Sequence, residues 1–169
     1  MVVDGLFGVT RPDEGGRYAV RFERRFRADP VALWSVITEP DQLRHWLAPV
    51  SGELREGGEF EVGFVEGGRA RGTIETCRPE SRLELSWAMD GDPAGRLVVE
   101  LEADDAGSRL VADHAGIVEH EYLRYAAGWQ TYLEQIDPLL SGHDYPDWWD
   151  RYRHLRRRYA ERAAVEPTG

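Results

Sequence analysis

The sequence predicts an α+β fold in which a curved antiparallel sheet wraps around one long helix near the C-terminus. The first observation is an amphipathic stretch from Glu119 to Leu140, whose apolar residues recur at steps of three and four. Such a helix would extend about 33 Å, enough to cross a small domain. The second observation is a preceding series of segments in which apolar and polar residues alternate, as they do in half-buried strands. Sheet and helix then enclose either a packed core or a ligand pocket.

The composition is that of one folded domain with appended ends. The chain has 169 residues, of which 41% are apolar, and its six Trp, seven Tyr and five Phe suffice for a large core or an aromatic-lined cavity. Its net charge of −10 argues against nucleic acid and anionic membranes as partners, because phosphate groups are repelled. The chain contains no Lys, which excludes Schiff-base chemistry through a lysine.

Metal sites, cofactors and membrane spans are not expected. Cys77 is the single cysteine, so an internal disulfide and a Cys-cluster metal site are excluded. His114 and His120 are six residues apart across a loop-to-helix boundary, and no other histidine spacing favours a metal ion. The N-terminus lacks the pattern of a signal peptide, and no stretch approaches about 18 apolar residues. We therefore expect a cytoplasmic protein.

The elements follow one another in a regular order. Residues 1–16 are rich in Gly and Pro, which predicts a mobile leader. Alternation from Tyr18 to Phe26 predicts the first strand. Asp29 is suited to cap a helix whose first residue is Pro30, and Pro40 ends that helix and begins a second short one.

Residues 52–114 predict a meander of antiparallel strands. Alternating apolar residues are separated by turn residues at 67–68, 79–81 and 105–107. The long helix should end at Ser141-Gly142, because Gly adopts the left-handed cap conformation without strain.

Residues 143–169 predict a separate amphipathic helical tail that begins near Pro146. Trp148, Tyr152 and Tyr159 share one face of it with Leu155. The tail holds six Arg and five acids, net +1, against net −11 for residues 1–142, so its basic face is expected to lie over an acidic body. The aromatic face either docks on its own domain or forms a homodimer interface.

Five segments in this order resemble the START-like (SRPBCC, helix-grip) superfamily, in the branch of homologues of the activator of the 90-kDa heat-shock chaperone ATPase. The segments are FERRFRADPVALWSVITEPDQLRHWL, GGEFEVGF, RPESRLELSW, SRLVADHAG and GWQTYLEQIDPLLSG. The resemblance covers residues 17–142 and does not extend to the tail. It implies a cavity between the curved sheet and the long helix. Members include binders of apolar small molecules, polyketide cyclases and a chaperone activator, and the fold does not choose among them.

Two polar residues are candidates for work inside such a cavity. Arg24 shares a strand face with Phe22 and Phe26, where it either binds a ligand carboxylate, pairs with an internal acid or turns outward at a bulge. His114 precedes the long helix and is the weak catalytic candidate, as a general acid or base or as a donor to a ligand carbonyl. The alternative is a hydrogen-bonded histidine at a strand end.

Ten further residues are expected either to line the pocket or to pack helix against sheet. Pockets are mostly apolar with a few polar groups, and buried Trp and Tyr bring polar atoms that need partners. The set is Trp34, Trp46, Phe60, Phe64, Trp87, Tyr122, Tyr125, Trp129, Tyr132 and Leu133.

The sequence favours binding of a small apolar or aromatic molecule as the function. One alternative is a cyclase or hydratase in which His114, with Tyr122, moves protons, although no clear acid–base pair is present. The other is a chaperone cofactor or protein-interaction domain, although the chain lacks the extra domain of full chaperone activators.

Overall fold

The computed structural model of the protein describes residues 7–65 and 67–166. Two single-turn 3₁₀ helices occupy Glu14–Gly16 and Glu119–Glu121. The other elements are β1 (Val9–Asp13), β2 (Arg17–Phe26), α1 (Pro30–Thr38), α2 (Pro40–Trp46), β3 (Val50–Gly52), β4 (Glu59–Gly63), β5 (Arg69–Arg78), β6 (Arg82–Met89), β7 (Gly95–Asp104), β8 (Gly107–Val118), α3 (Tyr122–Leu133), α4 (Ile136–Ser141) and α5 (Trp148–Val165).

The strands form one antiparallel sheet with the order β1-β2-β8-β7-β6-β5-β4-β3. The pairing register shifts between Tyr18 and Val20 in β2 and between Ile74 and Thr76 in β5. Such bulges bend a strand and increase its twist, which curves the sheet around the helices. The predicted fold class, an α+β fold with a curved antiparallel sheet and a C-terminal helix, is confirmed.

The helix starts predicted after the first strand are also confirmed. The carboxylate of Asp29 accepts a hydrogen bond of 2.8 Å from the backbone N–H of Ala32, and Pro30 is the first residue of α1. Pro40 begins α2 directly after α1 has ended. A proline tolerates this position because the first N–H groups of a helix have no partner within it.

The predicted long helix is interrupted after Leu133. α3 ends there and α4 begins at Ile136, so the expected helix of 119–140 becomes a 3₁₀ turn and two helices. Pro138 explains the break, because it has no N–H to donate to the carbonyl of Glu134 and its ring would collide with that carbonyl. The predicted end is confirmed: Gly142 has a φ of 68° and forms the left-handed cap.

The predicted mobile leader is wrong for the part that the structure describes. Val9–Asp13 forms the edge strand β1, paired antiparallel with β2. Pro12 fits there because one side of an edge strand makes no ladder hydrogen bonds. Asp13 accepts a hydrogen bond of 2.9 Å from the backbone N–H of Gly116, and Arg11 pairs with Asp113 at 2.9 Å. Residues 1–6 lie outside the described part.

Helix α5 docks on its own domain, against α3. Leu155 and Tyr159 are buried in the main core. The hydroxyl of Tyr159 accepts a hydrogen bond from the N–H of Gly8 and donates one to Gln130 Oε1, both of 2.6 Å. No helix in residues 7–65 or 67–166 is both long and apolar enough to cross a membrane.

A candidate ligand-binding cavity

Two adjoining cavities lie between the sheet and α3. The larger has a volume of about 510 Å³, within the range of about 300–1,000 Å³ found for small-molecule sites. Residues of α2, β6, α3 and α5 and of the β4–β5 connection form its walls. The smaller, of about 130 Å³, lies deeper against β4–β8. The two share four wall residues: Trp46, Leu47, Trp87 and Trp129.

Eight of the residues predicted from the sequence line these cavities. Trp46, Trp87 and Trp129 line both of them. The larger cavity alone is lined by Phe64, Tyr125 and Tyr132, and the smaller alone by Phe60 and Leu133.

A chain of aromatic rings runs along the wall from β6 across α3 to α5. The ring centroids of Trp87 and Trp129 are 5.0 Å apart, and those of Tyr132 and Trp148 are also 5.0 Å apart. Trp148 stacks on Tyr152 at 4.9 Å with an interplanar angle of 13°. The rings of Trp87 and Trp129 are tilted by 59° and those of Tyr132 and Trp148 by 44°, so the wall offers both faces and edges of polarisable rings to a ligand.

His114 is buried behind this wall and lines neither cavity. Its Nδ1 accepts a hydrogen bond of 2.9 Å from Trp129 Nε1, so the neutral ring carries its proton on Nε2. Burial lowers the pKa of His114 to about 3, which keeps the imidazole uncharged at neutral pH. The contact fixes the indole of Trp129, whose other side faces the cavities.

Two phenols on α3 stand at the larger cavity. Tyr125 donates a hydrogen bond of 3.2 Å to Asp92 Oδ2, and Arg124 makes ion pairs with Asp92 and Glu121. Burial raises the pKa of Tyr125, and that of Tyr132 is raised for the same reason. Both hydroxyls therefore stay protonated at neutral pH.

Gly128 lies in the middle of α3 and on the wall of the larger cavity. A Cβ placed on Gly128 would meet no atom within 4 Å. A glycine inside a helix costs roughly 0.5–1 kcal/mol relative to alanine. The missing side chain widens the cavity at this point.

Three side-chain N–H groups on residues that line the larger cavity have no hydrogen-bond partner. They are Trp87 Nε1, Gln135 Nε2 and Trp148 Nε1. An unsatisfied buried donor costs about 1–3 kcal/mol. The sequence reasoning missed Gln135, which lies outside the apolar helical spacing, and it considered Trp148 only for a docking or dimer face.

Four predicted site residues lie away from both cavities. Arg24 is 9% exposed, donates a 2.9 Å hydrogen bond to the carbonyl oxygen of Glu23 and sits over the ring of Phe22. Burial lowers the pKa of its guanidinium, and Tyr159, Glu134 and Asp137 act in the opposite direction. Arg24 lines neither of the two cavities, and its role as a ligand anchor or as an internal partner of an acid stays a prediction.

The other three are His114, described above, Trp34 and Tyr122. Trp34 is half-buried on α1 and packs against the main core. Tyr122 stacks on Tyr18, with ring centroids 4.2 Å apart, at the start of α3. In both positions the aromatic ring packs against other side chains, which was the alternative stated for this set. No cluster of three or more His, Cys, Asp or Glu suited to a metal ion occurs in residues 7–65 and 67–166.

The curved sheet, the helix that it holds and the enclosed space define a helix-grip protein. The family model described as activator of Hsp90 ATPase homolog 1-like protein matches residues 27–141, and the chain belongs to this family. The START-like superfamily predicted from the sequence is thereby confirmed. No curated protein matches the chain.

Several solved structures share the fold. CalU16 from Micromonospora echinospora is 24% identical with a TM-score of 0.77, over 94% of this chain and 98% of its own. The conserved protein of unknown function EF2215 from Enterococcus faecalis is 18% identical with a TM-score of 0.75, over 95% and 92%. DynU16, a putative protein in the dynemicin biosynthetic locus, is 22% identical with a TM-score of 0.69, over 74% and 48%. At these identities the likeness shows the fold alone.

Proposed function

We propose that the protein binds a small apolar or aromatic molecule in the larger cavity, between the sheet and α3. The observation that carries this proposal is an aromatic-walled space of about 510 Å³ that reaches the bare backbone at Gly128. Membership of a helix-grip family is compatible with such binding. The aromatic walls would contribute dispersion and stacking contacts, and the smaller apolar cavity would receive the deepest part of the ligand.

The proposal assigns no proton transfer to His114. Its ring is buried, neutral and outside the cavity lining, so it holds Trp129 in position. The enzyme and chaperone-cofactor alternatives stay predictions from the sequence. A homodimer formed through the tail also stays a prediction. Tyr145 and Trp149 are the exposed aromatic residues of that tail. The division into a core at 17–142 and a tail at 143–169 is part of the proposal, with α5 closing one side of the cavity.

A side chain placed at Gly128 tests the proposal. The probe is N-phenyl-1-naphthylamine, an uncharged fluorophore, titrated into wild type, Gly128→Leu and Gly63→Leu. We expect Gly128→Leu to lose at least about tenfold in affinity, because the leucine would occupy the space of the ligand. Gly63 offers the matched control: it lies in β4, lines neither cavity and has no atom within 4 Å of an added Cβ.

Thermal unfolding of the three proteins checks that each is folded. Equal affinity of Gly128→Leu and wild type would contradict the proposal, as would a wild type that binds no probe. If the wild type binds the probe and Gly128→Leu does not, native mass spectrometry of the protein purified from its own host would identify the natural ligand class through a recurring non-covalent adduct.

A further inference from the structure

The smaller cavity is a void of unusual size for a protein core. Its volume is about 130 Å³, whereas few voids in protein interiors are larger than a water molecule. An empty space of this kind destabilises a fold, because the side chains around it lose contact partners. It adjoins the larger cavity, so a part of the same ligand that filled it would restore those contacts.

The wall of the smaller cavity is almost entirely apolar. The described residues that line it include no charged side chain and no His, Asn, Gln or Ser. The hydroxyl of Thr38 already donates a hydrogen bond of 2.7 Å to the carbonyl oxygen of Trp34, and Trp87 Nε1, which has no partner, is shielded from the space. Because a buried water needs about two to four polar partners, this wall favours a hydrocarbon group over water.

The four residues that belong to both walls mark the boundary between the two cavities. Hydrogen bonds hold two of these side chains in place. Trp46 Nε1 donates to the carbonyl oxygen of Val36 and Trp129 Nε1 donates to His114 Nδ1, both at 2.9 Å. A group that reaches the smaller cavity from the larger one must pass these fixed rings, which favours a narrow chain over a broad ring system.

We propose that the smaller cavity is a dry hydrocarbon subsite and that the ligand is an aromatic molecule with an alkyl arm of about five or six carbons, which this subsite receives. An apolar cavity of about 150 Å³ stays dry and binds one benzene molecule, and the smaller cavity, of about 130 Å³, admits a group of similar size. The volume therefore sets an upper limit on the length of the arm. This inference rests on the proposed function and adds the class of ligand.

A series of 4-alkylphenols with unbranched arms, from ethyl to octyl, tests the inference. Their dissociation constants are measured with the full chain by displacement of N-phenyl-1-naphthylamine. We expect the affinity to rise about three- to fourfold with each carbon while the arm fills the smaller cavity, because each buried methylene contributes a similar increment. Beyond about five or six carbons the affinity should level off or fall, because the added carbons find no space.

Variants at two neighbouring wall residues assign this limit to the smaller cavity. Ala112 in β8 pairs with Val99 in β7, and both line this cavity and not the larger one. Ala112→Leu fills part of the space and should shorten the longest arm that still gains affinity by about three carbons. Val99→Ala enlarges the space and should lengthen that arm by about one or two carbons. Ala88→Leu is the matched control, because Ala88 lies in β6, lines neither cavity and should keep the wild-type limit.

The outcomes separate this inference from the proposed function. If the phenols bind and their affinity is independent of arm length, or rises without a limit up to octyl, the smaller cavity does not receive the arm and the binding proposal stands. If neither N-phenyl-1-naphthylamine nor any phenol binds, both proposals fail. A wild-type limit in Val99→Ala, or an equal shift in Ala88→Leu, would overturn the assignment to the smaller cavity. Thermal unfolding shows which variants are folded, and Val99→Ala decides the matter if Ala112→Leu is not.

Discussion

Acidification should destabilise the protein through His114, by an amount that its burial allows us to calculate. Burial lowers the pKa of His114 to about 3, against an ordinary value of 6.5. At a pH between about 3 and 6.5, the unfolded chain therefore binds a proton at this histidine, whereas the folded protein does not. The free energy of unfolding is therefore highest, with respect to this group, above pH 6.5, and it decreases as the pH falls toward 3.

The expected loss is about 2 kcal/mol between about pH 7.5 and about pH 5. At pH 5 the unfolded histidine is about 1.5 pH units below its pKa, and each unit corresponds to about 1.36 kcal/mol. His114→Asn removes the titration and keeps a carbonyl oxygen near the position of Nδ1, where it can accept from Trp129 Nε1.

Urea unfolding at both pH values measures the effect. Between these two pH values, we expect the free energy of unfolding of the wild type to decrease by about 2 kcal/mol more than that of His114→Asn. His120→Asn, at a histidine whose side chain is 79% exposed, should keep the wild-type loss. If acidification lowers the free energy of unfolding of His114→Asn as much as that of the wild type, the reasoning is refuted. His114 would then again be a candidate for proton transfer.

Two further predictions concern stability. Tyr159→Phe should cost about 2–4 kcal/mol in urea unfolding, because a backbone N–H and a side-chain amide oxygen lose their partner, whereas Tyr145→Phe, at an exposed tyrosine, should cost less than about 0.5 kcal/mol. Gly72→Ala should lower the melting temperature, since its Cβ would overlap the carbonyl oxygen of Ser86 and separate β5 from β6. Gly128→Ala should raise stability by roughly 0.5–1 kcal/mol; a loss there would mean that the space is filled.

Local signals allowed much of the fold to be predicted. Asp29 and Pro30 start α1 as expected, Pro40 starts α2, and Gly142 caps α4, because caps and proline positions depend on a few adjacent residues. The strands were predicted from alternation, which the sheet enforces by burying one face.

The errors arose where non-local pairing or an overlooked local signal decided the structure. β1 has a weak pattern and forms because β2 offers an edge to pair with. The interruption at Glu134–Gln135 was not predicted, because the regular apolar spacing indicated one continuous helix. Pro138 is the local signal for the interruption, since a proline disrupts the helical turn that precedes it. Arg24 is buried, as alternation implied, but it lies outside the linings of both cavities and within the electrostatic influence of Tyr159, Glu134 and Asp137.

The sequence by itself determined the family, the order of the elements and which residues turn inward, because these depend on short-range spacing and on the cost of exposing apolar side chains. Only the tertiary structure decided which inward residues meet at a cavity. Trp87 is far in the chain from Gln135 and Trp148, and the strand pairing, the break before α4 and the docking of α5 bring all three residues to the wall of one cavity. An unsatisfied donor is a property of its surroundings, which no local pattern encodes.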